Sequence, residues 1–439
     1  MTSQQKENHS LVNPSHIPQY LACGILSLGG ILGGTVPGWS STALPSIQSS
    51  NHFPGLNKTG LSWIASIATL GCLIGSPTGG YLIRKIGRKN CLLFSSTPYL
   101  IGWVALAFPL KVWMLYVGRF LTGIGLAVMV LTGSVYLSEI AAPELSLSLR
   151  GRLSVAWFVA IRLGILFKYG VGSILPYNHL SAISAILSIV FGASIFYLPE
   201  SPRWLISEGR REDAIESLCW LQASDKKSPS SNILAEIQEP SSNPVLIATS
   251  LMIFKDACGG NTFSFFVVQT FDKTGSAFNS HVSGVIIGVA QLVGILVTVF
   301  CVDTLGRRIL LITSFIIMSL SMAILGLFQQ FKTDIDGLSQ YSGEIIPTNV
   351  IGSVSGLVTG IGWMTCFIFT RSYQDMNDGI GVANTFWVFA VFSAVGGIFT
   401  HVFVPETVGR RLENIHEENS KENDIIEMKQ NRRAENDDV

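Results

Sequence analysis

Four charged side chains stand where the surrounding sequence offers them no water. Arg162 and Lys168 interrupt one long apolar run, and Lys255 with Asp256 interrupts another. A charge at the centre of a bilayer costs about 2.5–3.5 kcal/mol even on the mildest scale, so such groups face a cavity or pair. Arg162 and Asp256 can meet across a cavity. The alternative is local: Asp256 pairs with its neighbour Lys255, while Arg162 or Lys168 snorkels toward an interface. A second set of charges sits at the ends of apolar runs, acid and base together. It comprises Arg88, Glu139, Arg150, Arg152, Glu200 and Arg203, then Asp303, Arg307, Arg308, Glu344 and Glu406. Bidentate guanidinium–carboxylate pairs among them would latch one side of a bundle shut. Simple charge anchoring at a membrane surface is the competing explanation. No HExxH, Walker A or GxSxG pattern is present, so enzyme chemistry is not indicated. Seven cysteines without CxxC spacing give neither a zinc site nor a disulfide framework, and nothing asks for a cofactor.

The elements that hold these residues follow from composition. The chain has 439 residues, of which 13% are charged and 48% hydrophobic. Mean hydropathy is +0.44. That is about half the charge of an ordinary globular protein, too little for a water-facing shell. Net charge is zero, which does not suggest a nucleic-acid partner. The polar first 18 residues contain no cleavable signal peptide. Charge-free stretches place spans near 20–44, 59–83, 91–110, 113–138, 153–174, 179–198, 244–269, 281–302, 309–330, 350–370 and 380–404. The expectation is an all-α integral membrane protein with eleven transmembrane helices.

Lys and Arg set the orientation. Loops after even-numbered spans hold thirteen of them through the eighth span, against three in the opposite loops. The first set, and the N-terminal tail 1–19, are therefore cytosolic. Asn57-Lys58-Thr59 then lies outside and fits a glycosylation acceptor.

The halves repeat. Gly87-Arg88-Lys89 returns as Gly306-Arg307-Arg308, and Pro199-Glu200-Ser201 as Pro405-Glu406-Thr407. Glu139 to Pro199 is 60 residues and Glu344 to Pro405 is 61, but Gly87 to Glu139 is 52 and Gly306 to Glu344 only 38. The second half is short by one span, the tenth of twelve. Odd parity then sends the tail beyond Arg411 outward, or leaves 350–370 uncrossed.

With Gly38-Trp39-Ser40-Ser41, Ser62-Trp63, Gly118-Arg119-Phe120, Tyr136-Leu137-Ser138-Glu139, Pro199 to Arg203, Gly306 to Arg308, Phe386-Trp387 and Pro405 to Gly409, the chain resembles the sugar porter branch of the major facilitator superfamily. It looks most like arthropod trehalose transporters. The resemblance implies two bundles, 20–204 and 244–410, rocking about a midplane site. A cytosolic linker at 205–243 joins them, and a disordered tail covers 411–439. It implies facilitative transport of a sugar, trehalose or glucose, across a plasma membrane, with sugar and the lipid bilayer as partners and no nucleic acid. It leaves oligomeric state open. Asn261, Gln291 and Trp363 match family substrate positions, although Asn261 and Gln291 could equally bond neighbouring helices. Phe158, Lys255 and Asp256 replace family glutamines, and Arg162 shares the face of Phe158. Proton-coupled relatives usually carry an Asp in the first span and this chain has none, which favours uniport. The alternatives are a non-transporting isoform, as a sensor or partial splice form, and a carrier of anions using Arg162 and Lys255.

Overall fold

Helix packing in this chain is set by where glycine lets two backbones touch. The computed structural model describes residues 17–50, 52–140, 147–222, 243–274, 280–305, 307–331 and 353–404, and every regular element among them is helical. The first half holds α1 (Ile17–Ser49), α2 (Lys58–Ile86), α3 (Arg88–Ala107), α4 (Val112–Ile140), α5 (Leu147–Gly172) and α6 (Tyr177–Ile195). On α1, Gly30, Gly34 and Gly38 form a stripe one residue in four, and α5 lies against it. A Cβ at Gly34 would overlap the carbonyl oxygen of Ile161, and one at Gly164 that of Ile31. Gly71 and Gly123 do the same for α2 and α4, against Phe120 and Ala68. Lipid gives apolar side chains no reason to leave it, so close backbone approach supplies the packing energy.

Two short helices, α7 (Pro202–Ser207) and α8 (Arg211–Gln222), follow α6. The second half holds α9 (Asn243–Ala257), α10 (Gly260–Thr274), α11 (Ser280–Leu305), α12 (Arg307–Phe331), α13 (Ser353–Gly379) and α14 (Val382–Phe403). Three pairings join the halves: α1 with α10, α2 with α13, and α5 with α11.

Nine helices among the described residues are long and apolar enough to cross a membrane. The expected eleven are not reproduced as such. The run 244–269 is not one helix but α9 and α10 end to end, broken at Gly259, whose φ of 81° only glycine adopts readily. Of the run 350–370, residues 353–370 lie in α13, which continues to Gly379 through Arg371 and Asp375.

The structure also shows which helix ends meet. Arg308 on α12 donates to the carbonyl of His401 on α14 at 2.6 Å, and Ser319 to that of Ala390 at 2.9 Å, so these helices are antiparallel. Ser62, near the start of α2, bonds the carbonyl of Arg371, near the end of α13. Gln291 on α11 lies opposite Arg162, and Gly288 opposite Leu166 and Tyr169, so α11 runs antiparallel to α5. The end of α14 therefore shares an end of the molecule with Gly87, Ile140 and the start of α12. Phe331 and Ser353 fall at opposite ends. The 21 residues between them lie outside the described set.

Two outcomes test the packing and the topology. Gly123→Ala should lower thermal stability by about 1–3 kcal/mol through overpacking. Gly24→Ala, whose Cβ would meet nothing within 4 Å, should not; equal effects would contradict the close-approach account. Epitopes placed in 223–242 and after Val439 should react only after permeabilisation, and reaction from opposite sides would break the topology.

Candidate functional site

The break in the seventh run builds the centre of the site. At the end of α9 the Asp256 carboxylate is buried, and its Oδ1 accepts from Nδ2 of Asn261, one residue into α10, at 2.6 Å. It thus sits at the N-terminal end of α10, where unpaired N–H groups and the helix dipole favour negative charge. Lys255 Nζ lies 3.6 Å from the same oxygen. A Cβ at Gly362 on α13 would come within 2.9 Å of Asp256 Oδ2, so the glycine beside Trp363 leaves the carboxylate its space.

One turn along α10, Ser264 Oγ accepts from Gln291 Nε2 at 3.2 Å. Gln291 Oε1 in turn accepts from Arg162 Nη1 at 3.4 Å. Asn261 and Ser264 are three apart on one helix face. The structure thus brings together Arg162 and Gln291 across the halves, and Lys255, Asp256 and Asn261 within the second half. Phe158 and Trp363 are half-buried and pack against the apolar core.

Lys168 takes no part in this group. It is fully buried within the first half, donates to the carbonyl of Leu180 at 2.5 Å, and stands 5.1 Å over the Trp103 ring. Arg119, which sequence reasoning treated only as part of a motif, is also fully buried. Its donors reach the carbonyls of Val36 (3.0 Å) and Ile64 (3.2 Å) and the Ser40 hydroxyl (2.5 Å), and its guanidinium covers Trp39. Its described acceptors are all neutral.

The described bonds between halves run from the middle of the molecule to the end bearing Asn57. Besides Arg162–Gln291 they are Tyr169 Oη to the Ser264 carbonyl (2.8 Å), the Val268 amide to Ser41 Oγ (3.1 Å), and Ser62 Oγ to the Arg371 carbonyl (3.3 Å). Trp63 meets Phe367 and lies under the Arg371 guanidinium. The doubled Ser40-Ser41 and the Cys258-Gly259-Gly260 interruption were the available signals for these features.

At the opposite end, the described ion pair among the charges expected to form a latch lies within one half. Arg88 makes a two-point pair with Glu139, at 2.5 and 2.7 Å, with 11% and 7% of the side chains exposed. Ser201 Oγ donates to the same Glu139. Glu200 caps α3 from outside: its carboxylate accepts the amides of Arg88 and Lys89 as well as Ser201. Gly87, at φ 85°, has no side chain to cap α3, and a Cβ there would overlap that carboxylate. Burial pushes the Glu200 carboxyl above its usual range, against the pull of those N–H groups. Arg308 bonds α14 as described above, and Arg203 lies half-buried on α7. For Arg150, Arg152, Asp303 and Arg307 only the helical backbone is described, and Glu344 and Glu406 lie outside the described residues. Asn57 caps α2, its Oδ1 accepting from the Gly60 amide at 2.8 Å. Glu139→Ala should strand the Arg88 charge and cost about 3–5 kcal/mol of stability. Pairing it with Arg88→Met should recover much of that in a melting assay, and no recovery would count against a buried pair.

The chain matches the family described as "Sugar (and other) transporter" over residues 3–340 and 336–418. It is 31% identical over 450 residues to the facilitated trehalose transporter Tret1 of Anopheles gambiae, covering 92% of this chain and 56% of that protein. The Culex quinquefasciatus Tret1 is 30% identical, with 90% and 85% covered. The chain thus spans little more than half of the first relative and most of the second. Among solved structures it is similar to the xylose transporter XylE from E. coli in a partially occluded inward-open conformation. That match has a TM-score of 0.71 at 19% identity and covers 89% of this chain and all of that one. The proton:xylose symporter XylE bound to 6-bromo-6-deoxy-D-glucose gives 0.71 at 20%, with 90% and 98% covered. The chain belongs to the sugar (and other) transporter family and has the major facilitator fold.

Proposed function

We propose that this protein carries a sugar, trehalose or glucose, across the plasma membrane as a uniporter. The halves 20–204 and 244–410 rock about a site formed by Asn261, Gln291, Trp363, Phe158, Arg162, Lys255 and Asp256. The observation that carries the reading is the distribution of contacts between halves. The described bonds join them in the middle and at the Asn57 end, while the described charge pairs at the other end stay within a half. A carrier closed on one side, with polar groups midway, is a state that alternating access requires.

Amide and aromatic side chains suit sugar hydroxyls and ring faces, since Asn and Gln both donate and accept. The relatives' names support trehalose. Uniport is supported by Arg119, whose described hydrogen-bond acceptors carry no titratable carboxylate. Its acceptors on α1 are the Val36 carbonyl and the Ser40 hydroxyl, neither of which takes up a proton near neutral pH.

The test is counterflow of labelled trehalose and glucose in proteoliposomes. Uptake should saturate, respond to trans sugar, and stay unchanged when a pH gradient is imposed. Accumulation driven by the gradient would overturn uniport, and no counterflow of either sugar would overturn the sugar reading. Gln291→Ala should weaken apparent affinity about 5- to 30-fold through lost hydrogen bonds. An unaltered KM would remove it from the site.

A further inference from the structure

Arg371 lies at the Asn57 end of the protein, where α13 meets α2. It is the first charge after a long apolar run, and it lies near the end of α13. Its guanidinium stands 5.1 Å over the ring of Trp63, which belongs to α2 in the other half. The same turn of α13 offers its carbonyl to Ser62 Oγ at 3.3 Å, and Phe367 meets the Trp63 ring at 6.2 Å. Asp375, one turn further along α13, holds the guanidinium from behind at 2.6 Å. The Arg371 side chain is 23% exposed and Asp375 65% exposed, so the pair lies where buried contact gives way to water.

Three features set this contact apart from ordinary packing. It joins helices of different halves, so it must part if that end opens. It is held by a charge over an aromatic face, an interaction that weakens when water enters between the two. And the guanidinium is oriented by a carboxylate of its own helix, so the half containing α13 carries the preformed cation and the other half supplies only the ring.

We propose that Arg371 and Trp63 form the outer gate of the carrier: their stacking holds the state open at the Arg88 end, and their separation admits substrate from the Asn57 end. This rests on the alternating-access reading, but its test does not require a known substrate.

Val268 is 1% exposed and its amide bonds Ser41 of the other half, so Val268→Cys reports opening of the closed end. The full chain carrying that change is reconstituted in nanodiscs and alkylated with a maleimide. Buried Cys91 on α3 serves as the internal standard. Arg371→Met and Trp63→Leu should each raise alkylation at position 268 about 3- to 30-fold, the range of a cation–π contact. Alkylation at Cys91 should stay unchanged. Arg371→Lys keeps a cation over the ring and should stay nearer the parent than Arg371→Met. The assignment is overturned if the thiol introduced by Val268→Cys reacts no faster in Arg371→Met and Trp63→Leu, if Lys and Met behave alike, or if Cys91 reacts faster in step with it. Should the gate variants respond while no sugar is carried, the gate stands and the substrate reading falls.

Discussion

A guanidinium with no water around it must be solvated by the protein, and Arg119 meets that demand with oxygens from two neighbouring helices. Val36 and Ser40 come from α1, and Ile64 from α2. An unsatisfied charge in that position would cost several kcal/mol, so the three helices cannot slide past one another without breaking the set. The glycine contacts make the set reachable. Gly71 and Gly123 bring α2 and α4 together until backbone meets backbone, and Gly34 seats α1 on α5. Trp39, sandwiched between the Arg119 guanidinium and the edge of Trp103, bonds Ser181 and adds α3 and α6 to the same core. The first half is rigid because a buried charge and close-packed backbones fix the same registers.

The second half is built around an interruption. Breaking one crossing at Gly259 creates a new helix start in the middle of the molecule, and Asp256 occupies it with Asn261 and Lys255. The first half offers Arg162, which reaches over to Gln291. The centre of the protein therefore holds cations and an anion where uncharged amides would serve a sugar alone, and amides and charges are already bonded to one another. A substrate entering there must exchange these bonds for its own.

Much of this was legible in the sequence. Charge-free runs located the helices, since a span needs a minimum apolar length. The paired motifs gave the twofold plan, and their resemblance gave the family. What failed had physical causes. Cys258-Gly259-Gly260 is apolar enough to hide in a hydropathy run, although two glycines there left α9 and α10 free to part. The parity argument counted spans without knowing which ends met; the contacts of Arg308 with His401 and of Ser62 with Arg371 supply that for the described helices. The pairing of Arg162 with Gln291 depends on the height at which α5 and α11 cross, which no single helix encodes. Arg371 read as the polar end of a span because its partner, Trp63, lies 308 positions earlier in the chain.

Glu200 belongs to a signature by which such chains are recognised, yet here it completes the start of α3. Gly87 is part of the same device, leaving room for a carboxylate borrowed from beyond the sixth span. The pair serves assembly: without it, a helix end buried at the bilayer edge would lack acceptors. A chain that moved no solute would still need both residues to complete the start of α3. The presence of Pro-Glu-Ser and Gly-Arg-Lys therefore reports on how the chain folds rather than on what it carries.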